Sequence, residues 1–201
     1  MSDWIVETIT ATGYWGIFLL MLLESVFPPI PSELIIPFAG FAVQRGELNL
    51  FGVLAATTGG AVIGMLPWYI AARLLGLART KWLADRIGRW VAMNSDEIDV
   101  ASAWFLRYGP LIVFFGRLVP LIRTVISVPA GIAAMPAWAF LIASALGALL
   151  WNSILIGAGY LLSSHYHLVE IVLDPATIAV LVLCVLIYVW RVVTWKPGLP
   201  P

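Results

Sequence analysis

Apolar runs dominate this chain, and small groups of charges and prolines break them at regular intervals. Residues 16–23 are continuously apolar and then meet Glu24. Residues 34–43 are apolar again, after Pro28, Pro29, Pro31 and the pair Ser32-Glu33. At about 1.5 Å per residue neither arm crosses a hydrocarbon layer of ~30 Å. The prolines between the arms therefore predict a re-entrant helical hairpin, the alternative being one kinked span over 13–43. Pro37 and Gly40 lie in its second arm.

After a polar break at 44–49, residues 50–75 predict a full span rich in small residues. Gly60 and Gly64 form a GxxxG match, a weak signal alone that reads as close helix packing. Trp82, Leu83, Ile87, Trp90 and Val91 recur at helical spacing among Lys81, Asp85, Arg86 and Arg89, which predicts an interfacial amphipathic helix. Asn94 and Glu97 resemble a capping box opening a second short helix that ends near Gly109-Pro110. A second broken stretch follows, with Gly116, Arg117, Pro120, Arg123, Pro129 and Gly131 inside an apolar segment. Residues 137–162 predict a second full span and 178–190 a third, anchored by Arg191, Trp195 and Lys196. Residues 4–11 read as an interfacial helix, and the start of the chain lacks the basic residues of a cleaved signal, so it is expected to be retained.

The two broken stretches share a frame. Gly16 precedes Glu24 by eight residues, as Gly109 precedes Arg117. Each charge is followed by proline, a second charge, proline and glycine, and then by a glycine-rich span. One span and the basic segment separate the copies, so they enter from opposite faces, as in the inverted repeats of transporters. The expected fold is an all-α polytopic membrane protein: two re-entrant hairpins in an inverted repeat, about three full transmembrane helices, and interfacial amphipathic helices. It forms a single membrane domain. Repeat 1 covers about 4–76, a cytoplasmic amphipathic segment about 77–107, repeat 2 about 95–162, and a C-terminal transmembrane helix about 177–193.

Composition agrees: 62% of the 201 residues are hydrophobic and 11% charged. Zero net charge gives no sign of nucleic acid. Cys184 is the single cysteine and lies in an apolar run, so no disulfide or thiolate metal site is expected. His165 and His167 fall in a polar turn and read as solvated rather than as metal ligands. No cofactor is expected.

Candidate chemistry rests on four charges. Each would cost a few kcal/mol at the bilayer centre, so none is incidental. One reading makes Glu24, Glu33, Arg117 and Arg123 buried ion pairs that lock the hairpins together. The other makes them a transport site. Arginine suits bidentate phosphate binding, and broken half-helices point their positive ends inward. Ser32 is a candidate cap for the second arm of the first hairpin, and Thr124 or Ser127 for that of the second. Arg117, Arg123, Ser32, Thr124 and Ser127 are thus the candidate binding residues. Glu24 and Glu33 are candidate proton carriers, since a carboxylate held in low dielectric can take up a proton. The prolines and glycines at 28, 29, 31, 37, 40, 116, 120, 129 and 131 would shape the hairpins.

At these residues, ESVFPPIPSE and FGRLVPLIRTVISVPAG, the chain resembles the DedA family, also described as the SNARE-associated Golgi or VTT domain. The resemblance covers roughly 13–162. It implies a bacterial inner-membrane protein with two inverted re-entrant hairpins. Bacterial members are implicated in recycling undecaprenyl phosphate and in proton-motive-force-dependent resistance, and eukaryotic relatives scramble phospholipids. The family's essential acidic pair falls on Glu24 and Glu33, and its essential arginines on Arg117 and Arg123. Many members have Pro-Gly-Asp where this chain has Pro31-Ser32-Glu33. Some have an acidic residue where this chain has Met65. The tail of the first span, Tyr69 to Gly76, resembles the family's YxxGRxxG pattern.

The leading function is therefore a flippase or scramblase for undecaprenyl phosphate or another anionic phospholipid, with protons as a coupling partner. A proton or small-ion antiporter is the alternative. A membrane-embedded lipid phosphatase is weaker, because neither HExxH nor GxSxG occurs. A homo-oligomer is compatible with the sequence.

Six of the eleven basic residues fall between Arg73 and Arg107, which places that segment and the C-terminus in the cytoplasm. In a variant with Cys184 replaced, single cysteines at positions 79, 81, 86 and 89 should resist an impermeant thiol reagent in intact cells. Ready labelling there would invert the topology.

Overall fold

A computed structural model describes residues 12–26, 32–91, 95–120 and 122–161, together with Trp190 and Val193. Every element among them is helical: α1 (Tyr14–Val26), α2 (Ser32–Gln44), α3 (Leu50–Val91), α4 (Ser95–Gly116), α5 (Ile122–Val125), α6 (Ser127–Ile132) and α7 (Ala137–Leu161). Two stretches are long and apolar enough to cross a membrane, Leu50–Trp82 within α3 and Ala137–Leu161. The 13-residue helices α1 and α2 are the short arms that the pattern predicts. The residues 4–11, the prolines 28, 29 and 31, the histidine turn and the C-terminal span lie outside the described residues.

Local chemistry sets the boundaries. α2 ends in a Schellman motif: Gly46, at φ 74°, donates its N–H to Val43 O at 3.0 Å, and Glu47 N–H reaches Ala42 O at 3.0 Å. Asn49 then caps α3, its Oδ1 accepting the Phe51 N–H at 2.9 Å, while its own N–H donates to the Tyr14 hydroxyl at 2.7 Å. The expected break between span and amphipathic segment is only a joint, because α3 stays helical to Val91. Gly76 marks that joint with φ 71°, a left-handed value that glycine adopts at little cost. The helix end expected near Gly109-Pro110 is absent, and α4 runs through both residues. Proline removes only one hydrogen bond there, and the buried face of Phe105, Gly109 and Val113 continues across it.

The packing has a two-fold pattern. α1 lies on α3 and α4 on α7, while α2 crosses to α7 and α6 crosses to α3. α3 and α7 pack against each other. Exchanging α1 with α4, α2 with α6 and α3 with α7 maps this set of contacts onto itself. Close approaches repeat the exchange. Gly60 of α3 sits against the Phe18 carbonyl of α1, and Gly147 of α7 against the Phe114 carbonyl of α4. Nine residues after each glycine, the carbonyls of Tyr69 and Ile156 meet Gly131 and Gly40 of the opposite repeat's second arm. The GxxxG pair is thus a packing device, with Gly64 against Leu22 and Ser25.

Two cores fill the structure. Ile17, Leu20, Ile35, Ile36, Val53 and Ile156 form one, and Met65, Tyr69, Val113, Ile126 and Phe140 the other. Tyr69 stacks on Phe140 with ring centroids 4.3 Å apart. Outward faces carry exposed Trp15, Phe51, Leu74, Leu106, Val125 and Leu161, a surface suited to lipid rather than water.

A methyl group built on Gly147 would stand 2.7 Å from Arg117 Cβ and 2.8 Å from the Phe114 carbonyl, whereas Gly157 on the same helix has nothing within 4 Å. Gly147→Ala should therefore destabilise the protein by about 1–3 kcal/mol through overpacking. Gly157→Ala should be neutral or stabilising, by up to ~1 kcal/mol. Melting temperatures in detergent check both, and equal effects would remove the close-packing account.

Candidate functional site: a buried charge cluster between the helix pairs

Four charges converge where the last turn of α1, the start of α2 and the turn after α4 meet. Glu24 lies one turn before the break that ends α1, so its carboxylate is carried inward by the helix's buried face of Ile17, Leu20, Met21 and Glu24. Glu33 is in the first turn of α2. Arg117 follows the end of α4 directly, and Arg123 lies in α5. Sequence positions about a hundred residues apart are thereby joined. Arg123 Nη2 donates to Glu24 Oε1 at 2.7 Å and stands 3.2 Å from Glu33 Oε1. Ser25 Oγ donates to the other Glu24 oxygen at 3.4 Å.

Arg117 has a different shell. Its Nη1 donates to the Arg123 carbonyl at 2.5 Å and its Nη2 to Ser127 Oγ at 3.0 Å, with the Met65 sulfur also against Nη2. All three acceptors are neutral, and Arg117 Nε has no partner among the described residues. Only 5% of Arg117, 8% of Arg123 and 4% of Glu24 is exposed. The cluster balances in formal charge, two carboxylates against two guanidiniums. The balance is lopsided, because both carboxylates face Arg123. A guanidinium keeps its proton at any accessible pH, so Arg117 is a fixed positive charge without an adjacent anion among its bonded partners. Beside it lies a cavity lined by Glu24, Met65, Arg117, Arg123, Thr124 and Trp151, among others. Its free volume of about 20 Å³ admits one or two waters, not a phosphate group.

The candidate residues separate cleanly in this geometry. Glu24, Glu33, Arg117, Arg123, Thr124 and Ser127 come together. Ser32 opens α2, and its side chain lies outside the described residues. Pro37 and Gly40 contact α7 through Gly159 and Ile156, and Gly131 contacts α3. Gly116 leaves room for Ile126, and Pro129 sits inside α6.

One expectation needs correction. Neither Thr124 nor Ser127 caps the second arm: Ile126 is the N-cap of α6, without a side-chain cap bond. Ile126 is itself near-helical at φ −57°, ψ −23°, and its N–H reaches Ile122 O at 2.8 Å, so α5 and α6 nearly continue and need no cap. The Ser127 hydroxyl is free to serve Arg117 instead. Val119 and Pro120, at the turn before α5, are exposed. Around this turn Leu118, Val119, Ile122 and Arg123 donate to Phe115, Gly116 and Val119 carbonyls at 3.0–3.3 Å. Paired amides of this kind lower the cost of irregular backbone near hydrocarbon.

Sequence reasoning missed the contribution of α7. Asn152, 1% exposed, donates from Nδ2 to Thr58 Oγ at 3.3 Å and ties the two spans beside the cavity. A buried-face asparagine inside an uncharged span was the available signal. It also missed a node at the far end of the second repeat, where Tyr69 Oη and Arg73 Nη1 both donate to the Met135 carbonyl at 2.5 and 2.6 Å. This node holds the turn containing Ala134, which takes a left-handed φ of 52°. Such a value strains a non-glycine residue by roughly 1–2 kcal/mol.

Helix pairs that bring opposite charges together at a buried point, each crossing onto an apolar helix long enough to span, fit a polytopic membrane protein. The VTT domain model matches residues 30–161, and the chain belongs to that family, the DedA membrane proteins. It is 37% identical over 190 residues to an alkaline phosphatase-like protein of Lactococcus lactis subsp. lactis, covering 94% of this chain and 89% of that one. It is 36% identical to undecaprenyl phosphate transporter A of Staphylococcus aureus, covering 83% and 82%. It is 30% identical to undecaprenyl phosphate transporter A of Bacillus subtilis, covering 91% and 88%. No solved structure matches.

Glu24 is closer to Arg123 and more buried than Glu33, whose side chain is 23% exposed. Glu24→Gln should therefore lower the melting temperature more than Glu33→Gln, because it takes from Arg123 the nearer and less solvated of its two partners. A double-mutant cycle with Arg123→Gln should show larger coupling for Glu24 than for Glu33. The reverse order would show that the pairing geometry is wrong.

Proposed function

We propose that this protein moves an anionic lipid phosphate, undecaprenyl phosphate or another anionic phospholipid, across the bacterial inner membrane, with proton exchange at Glu24 and Glu33. One observation carries the reading: Arg123 is held by two carboxylates while Arg117, beside it, is bonded only to neutral acceptors. The site thus offers one guanidinium ready for an anion and a second that becomes available when carboxylate charge is removed. The names of the Staphylococcus and Bacillus relatives support this class of cargo.

In this reading α1–α2 and α4–α6 are the re-entrant hairpins, entering from opposite faces. The contact pattern that survives exchange of the two halves supports it. The basic segment after Arg73 and the C-terminus face the cytoplasm. Protonation of Glu33 or Glu24 at the acidic outer face weakens their hold on Arg123. The lipid phosphate then takes both guanidiniums, with Ser127 and Thr124 beside them. Deprotonation at the opposite face restores the ion pairs and expels the lipid. The cavity is too small for the phosphate while the pairs are closed, so the hairpins must part to admit it, as alternating access requires. Transport is favoured over hydrolysis because the Ser127 hydroxyl faces a guanidinium, which cannot accept its proton.

Translocation of labelled undecaprenyl phosphate in proteoliposomes, with and without a pH gradient, tests the reading. Native protein should accelerate translocation and respond to the gradient. Arg123→Lys keeps the charge but loses the bidentate fork, so lipid binding should weaken about tenfold while the fold survives. Glu33→Gln should bind lipid and lose its pH dependence. If Glu33→Gln unfolds the protein, the cluster is a structural lock and the mechanism is wrong.

A further inference from the structure

Trp151 of α7 lines the same cavity as Arg117. Each presents a buried N–H with no acceptor among the described residues, the indole Nε1–H of Trp151 and the guanidinium Nε–H of Arg117. An indole nitrogen can only donate. Buried donors are paired in the great majority of cases, because an unmet one has lost its water and gained nothing. Of the nearby acceptors, Glu24 and Glu33 hold Arg123, and Ser127 Oγ and the Arg123 carbonyl take the two Nη groups of Arg117.

The indole's place is set by packing. Gly147, one turn earlier on α7, lies against Arg117 Cβ, which fixes α7 to the arginine turn at that level. Asn152, the next residue, is tied to Thr58 of α3. Two donors beside one cavity, one on a cation, match an occupant rich in acceptors and poor in donors. A water brings two protons that need acceptors of their own, whereas a phosphate group brings anionic oxygens.

We infer that Trp151 is a further phosphate-binding residue, its indole N–H donating to an oxygen of the headgroup seated on Arg117. This rests on the reading of the cavity as a lipid-phosphate site. The second span then supplies a recognition group of its own, beside the charges of the two hairpins. It is a directional donor that adds no charge, so it selects for an oxyanion without strengthening the electrostatic competition at Arg123.

The test uses the full-length protein in maltoside detergent, with tryptophan labelled by ¹⁵N at the indole. The Trp151 signal is identified by its loss in Trp151→Phe, or in Trp151→Tyr if the first variant does not fold. Dodecyl phosphate should move that indole proton downfield, while dodecanol should not. Inorganic phosphate separates a lipid headgroup from the free ion: a matching shift with it alone, at lower affinity, shows that the oxyanion suffices. Trp151→Phe should bind dodecyl phosphate about tenfold more weakly, the effect of one charge-assisted hydrogen bond, at an unchanged melting temperature. Trp138→Phe, at an exposed position of the same helix, should bind as the native protein does. If dodecyl phosphate binds in an Arg117-dependent way while the Trp151 signal stays in place, or if Trp151→Phe retains native affinity, water is the indole's only partner. The inference then fails and the transport reading stands. If the native protein does not bind dodecyl phosphate, both fail.

Discussion

A guanidinium cannot shed its charge and cannot be left alone in hydrocarbon, and that constraint organises this molecule. Arg123 resolves it by drawing Glu24 from one side of a proline break and Glu33 from the other, at 2.7 and 3.2 Å. Breaking a buried pair is costlier than never having made it. The first helix pair must therefore bring its two carboxylates to the point where the second pair turns. The short arms, the crossed packing of α2 on α7 and α6 on α3, and the glycines at 40, 60, 131 and 147 bring these elements close enough for that meeting. Arg117 is accommodated differently, by a carbonyl, a hydroxyl and a thioether. The two neighbouring arginines thus sit in different electrostatic settings, one among carboxylates and one among neutral acceptors.

The surrounding protein holds the site in place. Close glycine contacts fix helix separation, and a shift of α7 relative to α4 would move Arg117 directly, since Gly147 rests on its Cβ. Asn152 and Thr58 add a polar tie between the spans. Such ties are worth on the order of 1 kcal/mol in a membrane, enough to set a register but weak enough to break in a conformational change. The same economy appears at the Met135 turn, where Tyr69 and Arg73 hold a strained residue in place.

Much of this was legible in the sequence. Two broken stretches, their shared frame and the four charges were visible because charges and prolines are conspicuous against an apolar background. Residues 50 and 137 were readable as starts of spans, because a polar break precedes the first and the second broken stretch precedes the other. What stayed hidden has physical causes. Which carboxylate faces which arginine depends on how the helix pairs pack, and no spacing encodes that. The path of α4 through Gly109-Pro110 follows from its buried face, which outweighs a single lost hydrogen bond. The near-continuous join of α5 and α6 made a cap unnecessary, so serine and threonine were given the wrong task. Met65, Trp151 and Asn152 carry no charge, and in an apolar span they read as ordinary packing until the cavity shows what they line.

The central claim is that carboxylate charge and lipid phosphate compete for Arg123. Linkage then requires that lipid binding be accompanied by proton uptake at the carboxylates. Proton uptake can be measured directly in weakly buffered detergent solution as undecaprenyl phosphate is added. The Glu24→Gln/Glu33→Gln double variant serves as the baseline for the lipid's own ionisation. Native protein should take up more protons per bound lipid than the double variant, approaching one. Equal uptake by the two proteins, with lipid bound to both, would contradict the account.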